Sequence, residues 1–161
     1  MNSLATPIAD AAVFTVRRLV RFSDCDPAGM VFYPQYFIML NGLVEDWFTD
    51  GLQVSYACFL GERRLGLPMA SLQCDFKRPS RMGETIALQL RLLRVGRRSL
   101  TLDIRCTGAD EDGANGATDT LRWQAQAVIV TTSLAHDGSI PIPDDVLQGI
   151  ARWQQLQGDQ P

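Results

Sequence analysis

Residues 35–50 (QYFIMLNGLVEDWFTD) constrain the fold of this chain more than any other stretch of its sequence. The segment contains no proline, Pro34 precedes it and Gly51 follows it, and these are signals for the start and the end of a helix. In its first half, apolar side chains point in nearly every direction: Tyr36, Phe37, Ile38, Met39, Leu40, Leu43 and Val44. Such a helix is buried on most sides, so the remaining chain has to cover it.

Alternating hydrophobicity on both sides of the helix predicts the strands of a covering sheet. Residues 13–22 alternate, with Phe22 on the apolar side and Arg18 as the exception. Four further alternating segments follow the helix in hairpin sequence: residues 68–77, 86–92, 100–106 and 120–133. In the first of these, Phe76 falls on the apolar side. One antiparallel sheet over a long buried helix makes the predicted class α+β.

The chain is predicted to be one domain over residues 1–161, because neither a linker nor a repeat interrupts it. The smaller predicted features are a loose N-terminal arm (1–11), a short helix or turn (53–64), a long hairpin loop (108–119) and an amphipathic C-terminal helix (143–157). A single sheet leaves part of the buried helix uncovered. We therefore expect a homo-oligomer, either a dimer or a larger assembly.

Charge and cysteine usage limit the class of protein. The net charge of −3 provides no broad basic surface, so neither nucleic acid nor a membrane is expected as a partner. The four cysteines form no C-x-x-C pair, which argues against a zinc site and for reduced thiols. Neither a signal-peptide pattern nor a run of 18 apolar residues is present, so a cytoplasmic protein is expected.

The stretch DCDPAGMVFYPQY, residues 24–36, leads into the long helix and has two interpretations. As a turn, it uses aspartates that accept backbone N–H bonds, Pro27 to set φ and Gly29 to permit a positive φ. As a site, it places a carboxylate beside the unpaired N–H groups of a helix start, which can polarise a carbonyl. A thioester suits such a site because its thiolate leaves with little or no protonation, and the chain has one histidine only.

The string D-x-D-P-A-G-x-V-x-Y-P-x-Y resembles the signature of the 4-hydroxybenzoyl-CoA thioesterase family, whose members have the hotdog fold. The resemblance is close over residues 20–47 and weaker as far as LRWQAQAVIV. It implies that Asp26 is the catalytic carboxylate, acting as nucleophile or general base, and that the N–H of Tyr33 binds the thioester oxygen. It also implies tetramers built from dimers, no metal, and no cofactor apart from the coenzyme A of the substrate.

The resemblance also bears on the acyl pocket, for which Pro34, Asn41 and Glu45 are the candidates. Where the 4-hydroxybenzoyl enzyme has a helical aspartate that recognises the phenol, this sequence has Asn41, a neutral amide. A benzoyl group is therefore expected as readily as a hydroxybenzoyl group. Pro34 favours an aryl substrate, because relatives that act on short or medium chains often have histidine there. Glu45 is also the runner-up for a catalytic carboxylate, since other hotdog thioesterases place theirs on this helix.

Basic residues at two places are candidates for binding the phosphates of coenzyme A. Arg97, Arg98 and Ser99 form a basic turn with a hydroxyl, and the matching segment of the family contacts the nucleotide. A second basic group could serve the same phosphates: Lys77, Arg78 and Arg81, with Arg122 as a weaker candidate.

The neighbours of Asp26 receive structural roles. Asp24 is expected to bond its own loop. A nucleophilic Cys25 would need a nearby base, and the single histidine, His136, lies far along the chain in a turn.

The sequence therefore predicts an acyl-CoA thioesterase that acts on an aromatic acyl group. The alternatives are a thioesterase for short or medium acyl-CoA or for acyl-carrier protein, and a non-catalytic acyl-CoA binder. A pure binder would not need the Asp26 carboxylate in a desolvated site. A hydratase is a further alternative, but hydratases of this fold usually combine a histidine with the acid, and the helix region has no histidine.

Overall fold

The structure, a computed structural model, describes residues 12–109 and 121–158. The predicted N-terminal arm, residues 1–11, and most of the predicted loop over 108–119 lie outside the described residues.

Five antiparallel strands form the main sheet. Their bounds are Val13–Leu19 (β1), Met69–Phe76 (β3), Thr85–Val95 (β4), Ser99–Gly108 (β5) and Leu121–Val130 (β6). Leu65–Gly66 (β2) and Thr132–Ser133 (β7) pair separately. The helices are Tyr33–Asp46 (α1), Tyr56–Gly61 (α2) and Asp144–Gly158 (α3). The strand order of the main sheet is β1-β4-β5-β6-β3.

The inner face of the sheet packs against α1. Alternate side chains of β4 and β5 are buried there: Ile86, Leu88, Leu90, Leu92, Leu100, Leu102, Ile104 and Cys106. From α1, Leu40 and Leu43 belong to the same core, as does Trp47 in the π-helical turn Trp47–Gly51 that continues the helix. Burying one such leucine stabilises the fold by about 1.5–3 kcal/mol. The predicted α+β class, with an antiparallel sheet over a long helix, is confirmed.

The prediction that the four later strands follow in hairpin sequence is wrong for β3. This strand pairs with β6 at the edge of the sheet, whereas β4 lies between β1 and β5. The connection between β3 and β4 bonds to the segment before α1 instead of forming a tight turn, since Ser80 accepts a hydrogen bond from the Val31 N–H at 2.9 Å. The outer edge of β3 therefore has no partner strand within the described chain.

Phe22 falls on the apolar side of the alternation, but its side chain is 83% exposed. β1 ends at Leu19, and a 3-10 turn over Phe22–Asp24 breaks the alternation. Arg18, the exception in the strand pattern, forms an ion pair with Asp46 at the end of α1. The charge on the apolar side of β1 is therefore compensated.

One stripe of α1 is uncovered, as expected for a buried helix that a single sheet covers. Ile38 is 62% exposed, and Asn41 and Glu45 are exposed as well. Pro34, on the same stripe, is half-buried. The sheet covers α1 from one side only, and nothing in the described chain covers the stripe that contains Ile38.

α3 packs against the end of α1 and the turn that follows it. The Trp153 ring lies 5.5 Å from the Trp47 ring, centroid to centroid. A Cβ added to Gly149 of α3 would lie 2.6 Å from the Leu52 carbonyl oxygen. This close approach requires a glycine at position 149.

Gly149→Ala should lower the free energy of unfolding by about 2 kcal/mol, because the new methyl group meets backbone that cannot give way. Gly61→Ala is the matched control, since a Cβ at this residue of α2 would meet nothing within 4 Å. The control should leave the stability unchanged or raise it by up to about 1 kcal/mol. Urea denaturation would measure both, and a Gly149→Ala protein as stable as the parent would contradict the packing described here.

Candidate active site

The segment before α1 folds into a small hairpin over residues 25–31, called the acid hairpin below. Cys25 pairs with Val31, and the Asp26 N–H donates to the Met30 carbonyl at 2.9 Å. The Gly29 N–H donates to the Asp26 carbonyl at 2.9 Å, and Gly29 has φ +72°. The turn interpretation of this stretch is therefore correct for its backbone, since proline and glycine occupy the positions that such a turn needs.

The two aspartates of the stretch differ in how they are bonded. One Asp24 carboxylate oxygen accepts the Arg21 N–H at 2.8 Å, so this side chain ties down its own loop, as predicted. The Asp26 Oδ1 atom accepts the Ala28 N–H at 2.9 Å, and the side chain is half-buried. Its Oδ2 atom has no hydrogen-bond partner among the described residues. Asp26 is thus oriented through one oxygen, and the other is available for a reacting group.

The start of α1 leaves one backbone donor unpaired. The Phe32 N–H donates to the Asp24 carbonyl at 3.0 Å, Pro34 has no N–H, and the Gln35 N–H donates to the Phe32 carbonyl at 2.8 Å. No side chain caps the helix. In the described structure the Tyr33 N–H is therefore free, and it sits at the positive end of the helix dipole. Such a donor can polarise a carbonyl or hold an oxyanion.

The acid hairpin and the helix start border neighbouring clefts. One cleft, of about 290 Å³, is lined by Asp26 together with Phe32 and Gln35. A second cleft, of about 270 Å³, is lined by Tyr33 and Phe76. The bond between Asp24 and Phe32 joins the segment that carries the acid directly to the residue before the free amide.

The three candidate residues of the acyl pocket share one stripe of α1. Pro34, Asn41 and Glu45 lie within about 40° of one another around the helix axis, and Ile38 lies on the same side of the helix. The structure thus brings Pro34 close to Tyr33, with Asn41 two turns further on. Glu45 lies about 18 Å along the axis from Tyr33. It lines another cleft, of about 490 Å³, with Asp46 and Asp50, so one protomer does not bring it to Asp26.

An exposed aromatic cluster, formed by Tyr33, Phe37 and Phe76, was not predicted. The ring of Tyr33 lies 6.3 Å from Phe37 and 6.2 Å from Phe76, between centroids. Tyr33 is 58% and Phe76 48% exposed. Phe76 falls on the apolar side of the alternation, but it ends β3, which is an edge strand. The alternation of the sequence gives no sign of this position.

The basic turn of Arg97 and Arg98 lies at the opposite end of the sheet from the acid hairpin. The hairpin bonds near the start of β4, where the Met82 N–H donates to the Gly29 carbonyl at 3.1 Å. Arg97 and Arg98 follow the end of β4, an 11-residue strand of about 33 Å. Ser99 begins β5, and its carbonyl accepts the Gly96 N–H at 2.8 Å. One protomer therefore does not bring this turn to Asp26.

The second basic group is nearer the acid hairpin. Lys77 and Arg78 line the cleft beside Tyr33, and Arg81 pairs with Met30 of the hairpin. Arg122 is engaged in the structure, because it donates to the Pro79 carbonyl at 3.1 Å and forms an ion pair with Glu84 at 3.1 Å.

Comparison with known proteins identifies the family. A model of the thioesterase-like superfamily matches residues 20–150. The chain belongs to the thioesterase-like superfamily. The predicted hotdog fold and the predicted enzyme class, a thioester hydrolase, are both confirmed.

One curated protein and two solved structures show how far the similarity of this thioesterase extends. A 1,4-dihydroxy-2-naphthoyl-CoA hydrolase from Prochlorococcus marinus (strain MIT 9313) is 28% identical over 154 residues, 89% of this chain and 90% of that protein. A 1,4-dihydroxy-2-naphthoyl-CoA thioesterase from Synechocystis superposes with a TM-score of 0.74 at 22% identity, over 86% and 96% of the two chains. A mutant 4-hydroxybenzoyl-CoA thioesterase, solved with 4-hydroxybenzoyl-CoA, superposes with a TM-score of 0.75 at 20% identity, over 87% and 99%.

Cys25 of this thioesterase is poorly suited to act as a nucleophile. Burial and the neighbouring carboxylates of Asp24 and Asp26 raise the pKa of the Cys25 thiol, so little thiolate is present at neutral pH. Its Sγ atom lies 3.4 Å from the Arg21 carbonyl oxygen. His136 is exposed, and its N–H donates to the Ser133 side chain at 3.1 Å.

Residues 12–109 and 121–158 contain neither a metal-binding cluster nor a membrane-spanning helix. No three of the histidine, cysteine, aspartate and glutamate side chains there form a group that could hold a metal ion. Within the same ranges, none of the helices has both the length and the apolar character needed to span a membrane.

Proposed function

We propose that this thioesterase hydrolyses an aromatic acyl-CoA, with Asp26 and the Tyr33 N–H acting on the thioester carbonyl. The observation that carries the proposal is the pairing of a carboxylate that has a free oxygen with an unpaired helix-start amide. The hydrogen bond between Phe32 and Asp24 holds the segment that contains Asp26 to the start of α1, which contains Tyr33. When the amide binds the carbonyl oxygen, the carbonyl carbon becomes more electrophilic. The amide also stabilises the negative charge that develops on the oxygen as the tetrahedral intermediate forms.

Asp26 has two possible roles, which share this geometry. As a nucleophile, its free oxygen attacks the carbonyl carbon, the CoA thiolate leaves, and water cleaves the resulting acyl–aspartyl anhydride. As a general base, it takes a proton from the water that attacks. Both routes give the free acid and coenzyme A, and neither requires an acid to protonate the leaving sulfur.

Support for an aromatic acyl group comes from the relatives and from the site. The relatives act, by name, on 1,4-dihydroxy-2-naphthoyl-CoA and 4-hydroxybenzoyl-CoA, both of which are aromatic. The aromatic cluster beside the free amide offers faces and edges against which a planar ring can pack. We assign to Asn41, on the exposed stripe of α1, the role of binding a substituent on the ring of the acyl group.

The CoA phosphates are assigned to Arg97, Arg98 and Ser99 of a second subunit. The edge of β3 has no partner strand in the described chain, and Ile38, Tyr33 and Phe76 are exposed, which favours pairing with another copy. Because the basic turn lies about 33 Å from the acid hairpin in one protomer, a copy that presents its turn to the hairpin would complete the site. We propose a dimer, which can assemble further into a tetramer.

A cytoplasmic location is proposed from the cysteines. All four are free, and none pairs with another. This usage fits a reducing compartment.

Asp26→Asn should lower kcat for benzoyl-CoA about 1,000-fold, because the amide can neither attack the carbonyl nor take a proton from water. Thiol release, followed with a chromogenic thiol reagent, would measure the loss. Asp24→Asn is the matched control, since its remaining oxygen still accepts the Arg21 N–H, and it should keep most of the turnover. Near-parental turnover in Asp26→Asn would rule out the assigned role.

A panel of acyl-CoA substrates should show kcat/KM highest for aromatic acyl groups. Asn41→Asp should raise the ratio of kcat/KM for 4-hydroxybenzoyl-CoA over benzoyl-CoA about tenfold, because a carboxylate binds a phenol more strongly than an amide does. A preference for short or medium chains, or for acyl-carrier protein, would contradict the aromatic assignment. Tight binding of every substrate without turnover would identify a binder instead.

Coexpression of two defective chains tests the shared site. Asp26→Asn loses the carboxylate, and the double variant Arg97→Ala, Arg98→Ala should raise KM for acyl-CoA. Mixed dimers of the two contain one intact site, so coexpression should restore about a quarter of the parental kcat/KM. No restoration, or a protein that sediments as a monomer, would contradict the proposed assembly.

A further inference from the structure

Residues 79–84, between β3 and β4, form a strap along the acid hairpin. The Val31 N–H donates to the Ser80 carbonyl at 2.9 Å, and the Met82 N–H donates to the Gly29 carbonyl at 3.1 Å. The returning arm of the hairpin is therefore held by backbone from a distant part of the chain. The strap limits how far the hairpin can shift relative to the sheet.

The same strap is bonded to the first turns of α1. The Ser80 N–H donates to the Tyr36 Oη atom at 3.0 Å, and both residues are almost completely buried. Tyr36 lies one turn after Tyr33, and its ring packs against Phe76 and Trp123, at 6.1 and 5.6 Å between centroids. Ser80 thus holds the acid hairpin through its carbonyl and α1 through its N–H.

Arg122 of β6 fixes the strap to the sheet. Its guanidinium donates to the Pro79 carbonyl at the start of the strap and pairs with Glu84 at the end. Its own carbonyl accepts the Lys77 N–H at 2.8 Å, just before the strap begins. The bond between Ser80 and Tyr36 is therefore made by a segment that is anchored at both ends.

We infer that Tyr36 is a positioning residue whose hydroxyl, through the Ser80 peptide, fixes the spacing between the Asp26 carboxylate and the Tyr33 N–H. This inference rests on the proposed function, in which both groups act on one carbonyl. A misplacement of about 1 Å can lower a rate about 100-fold. The hydroxyl contributes to catalysis in this way without touching the substrate.

Tyr36→Phe keeps the packed ring and removes only the hydroxyl, so it should fold. We expect kcat for benzoyl-CoA to fall about tenfold, with KM within about twofold of the parent. The loss is limited because the hydrogen bond between Phe32 and Asp24 still joins the segment of Asp26 to the start of α1. The matched control is Tyr56→Phe, which removes the hydroxyl from a half-buried tyrosine of α2. Its kcat should not change. Both are assayed well below their melting temperatures.

The double variant Asp26→Asn, Tyr36→Phe separates positioning from an independent effect. If the hydroxyl acts through the placement of Asp26, single-turnover rates of the double variant should equal those of Asp26→Asn. Losses that multiply would overturn the inference, as would a Tyr36→Phe protein with a lower melting temperature but parental kcat. An active Asp26→Asn protein would instead overturn the proposed function, so the two failures are distinguishable.

Discussion

The burial of α1 against one face of the antiparallel sheet is the contact on which the rest of the structure depends. Leu40 and Leu43 of the helix meet the alternating leucines and isoleucines of β4 and β5, and this apolar contact sets the position of the helix. Because only one side is covered, the stripe from Pro34 to Glu45 stays accessible. The same contact brings the start of α1 to the end of the sheet where the acid hairpin lies.

The candidate site consists of two groups without partners in the described structure, a backbone N–H at the helix start and a side-chain oxygen in the acid hairpin. Pro34 removes one N–H, and Phe32 and Gln35 use theirs locally, so the Tyr33 donor remains. The Asp26 side chain is oriented by a single bond to Ala28, which occupies one of its oxygens. A short stretch with ordinary turn geometry thus leaves one carboxylate oxygen and one backbone N–H without partners in the described structure.

Features that depend on local backbone geometry were predictable from the sequence. Proline and glycine predict the turn at Asp26 and the helix start at Pro34, because each restricts or frees φ whatever the rest of the chain does. The positions of Phe76, Arg97 and Arg98 were not predictable, since alternation does not reveal which strand lies at the edge of a sheet. It does not reveal the distance between two ends of the sheet either. The exposure of Phe22 was not predictable either, since a 3-10 turn interrupts an otherwise regular pattern.

The sequence by itself determined the fold class and the family, because hydrophobic periodicity, turn residues and a long motif can be read along the chain. Only the tertiary structure decided that β3 is an edge strand and that Glu45 and the basic turn lie far from Asp26 in one protomer. It also placed Ser80 between the hairpin and α1. These relations join residues that are far apart along the chain, and they follow from which apolar faces meet when the chain packs.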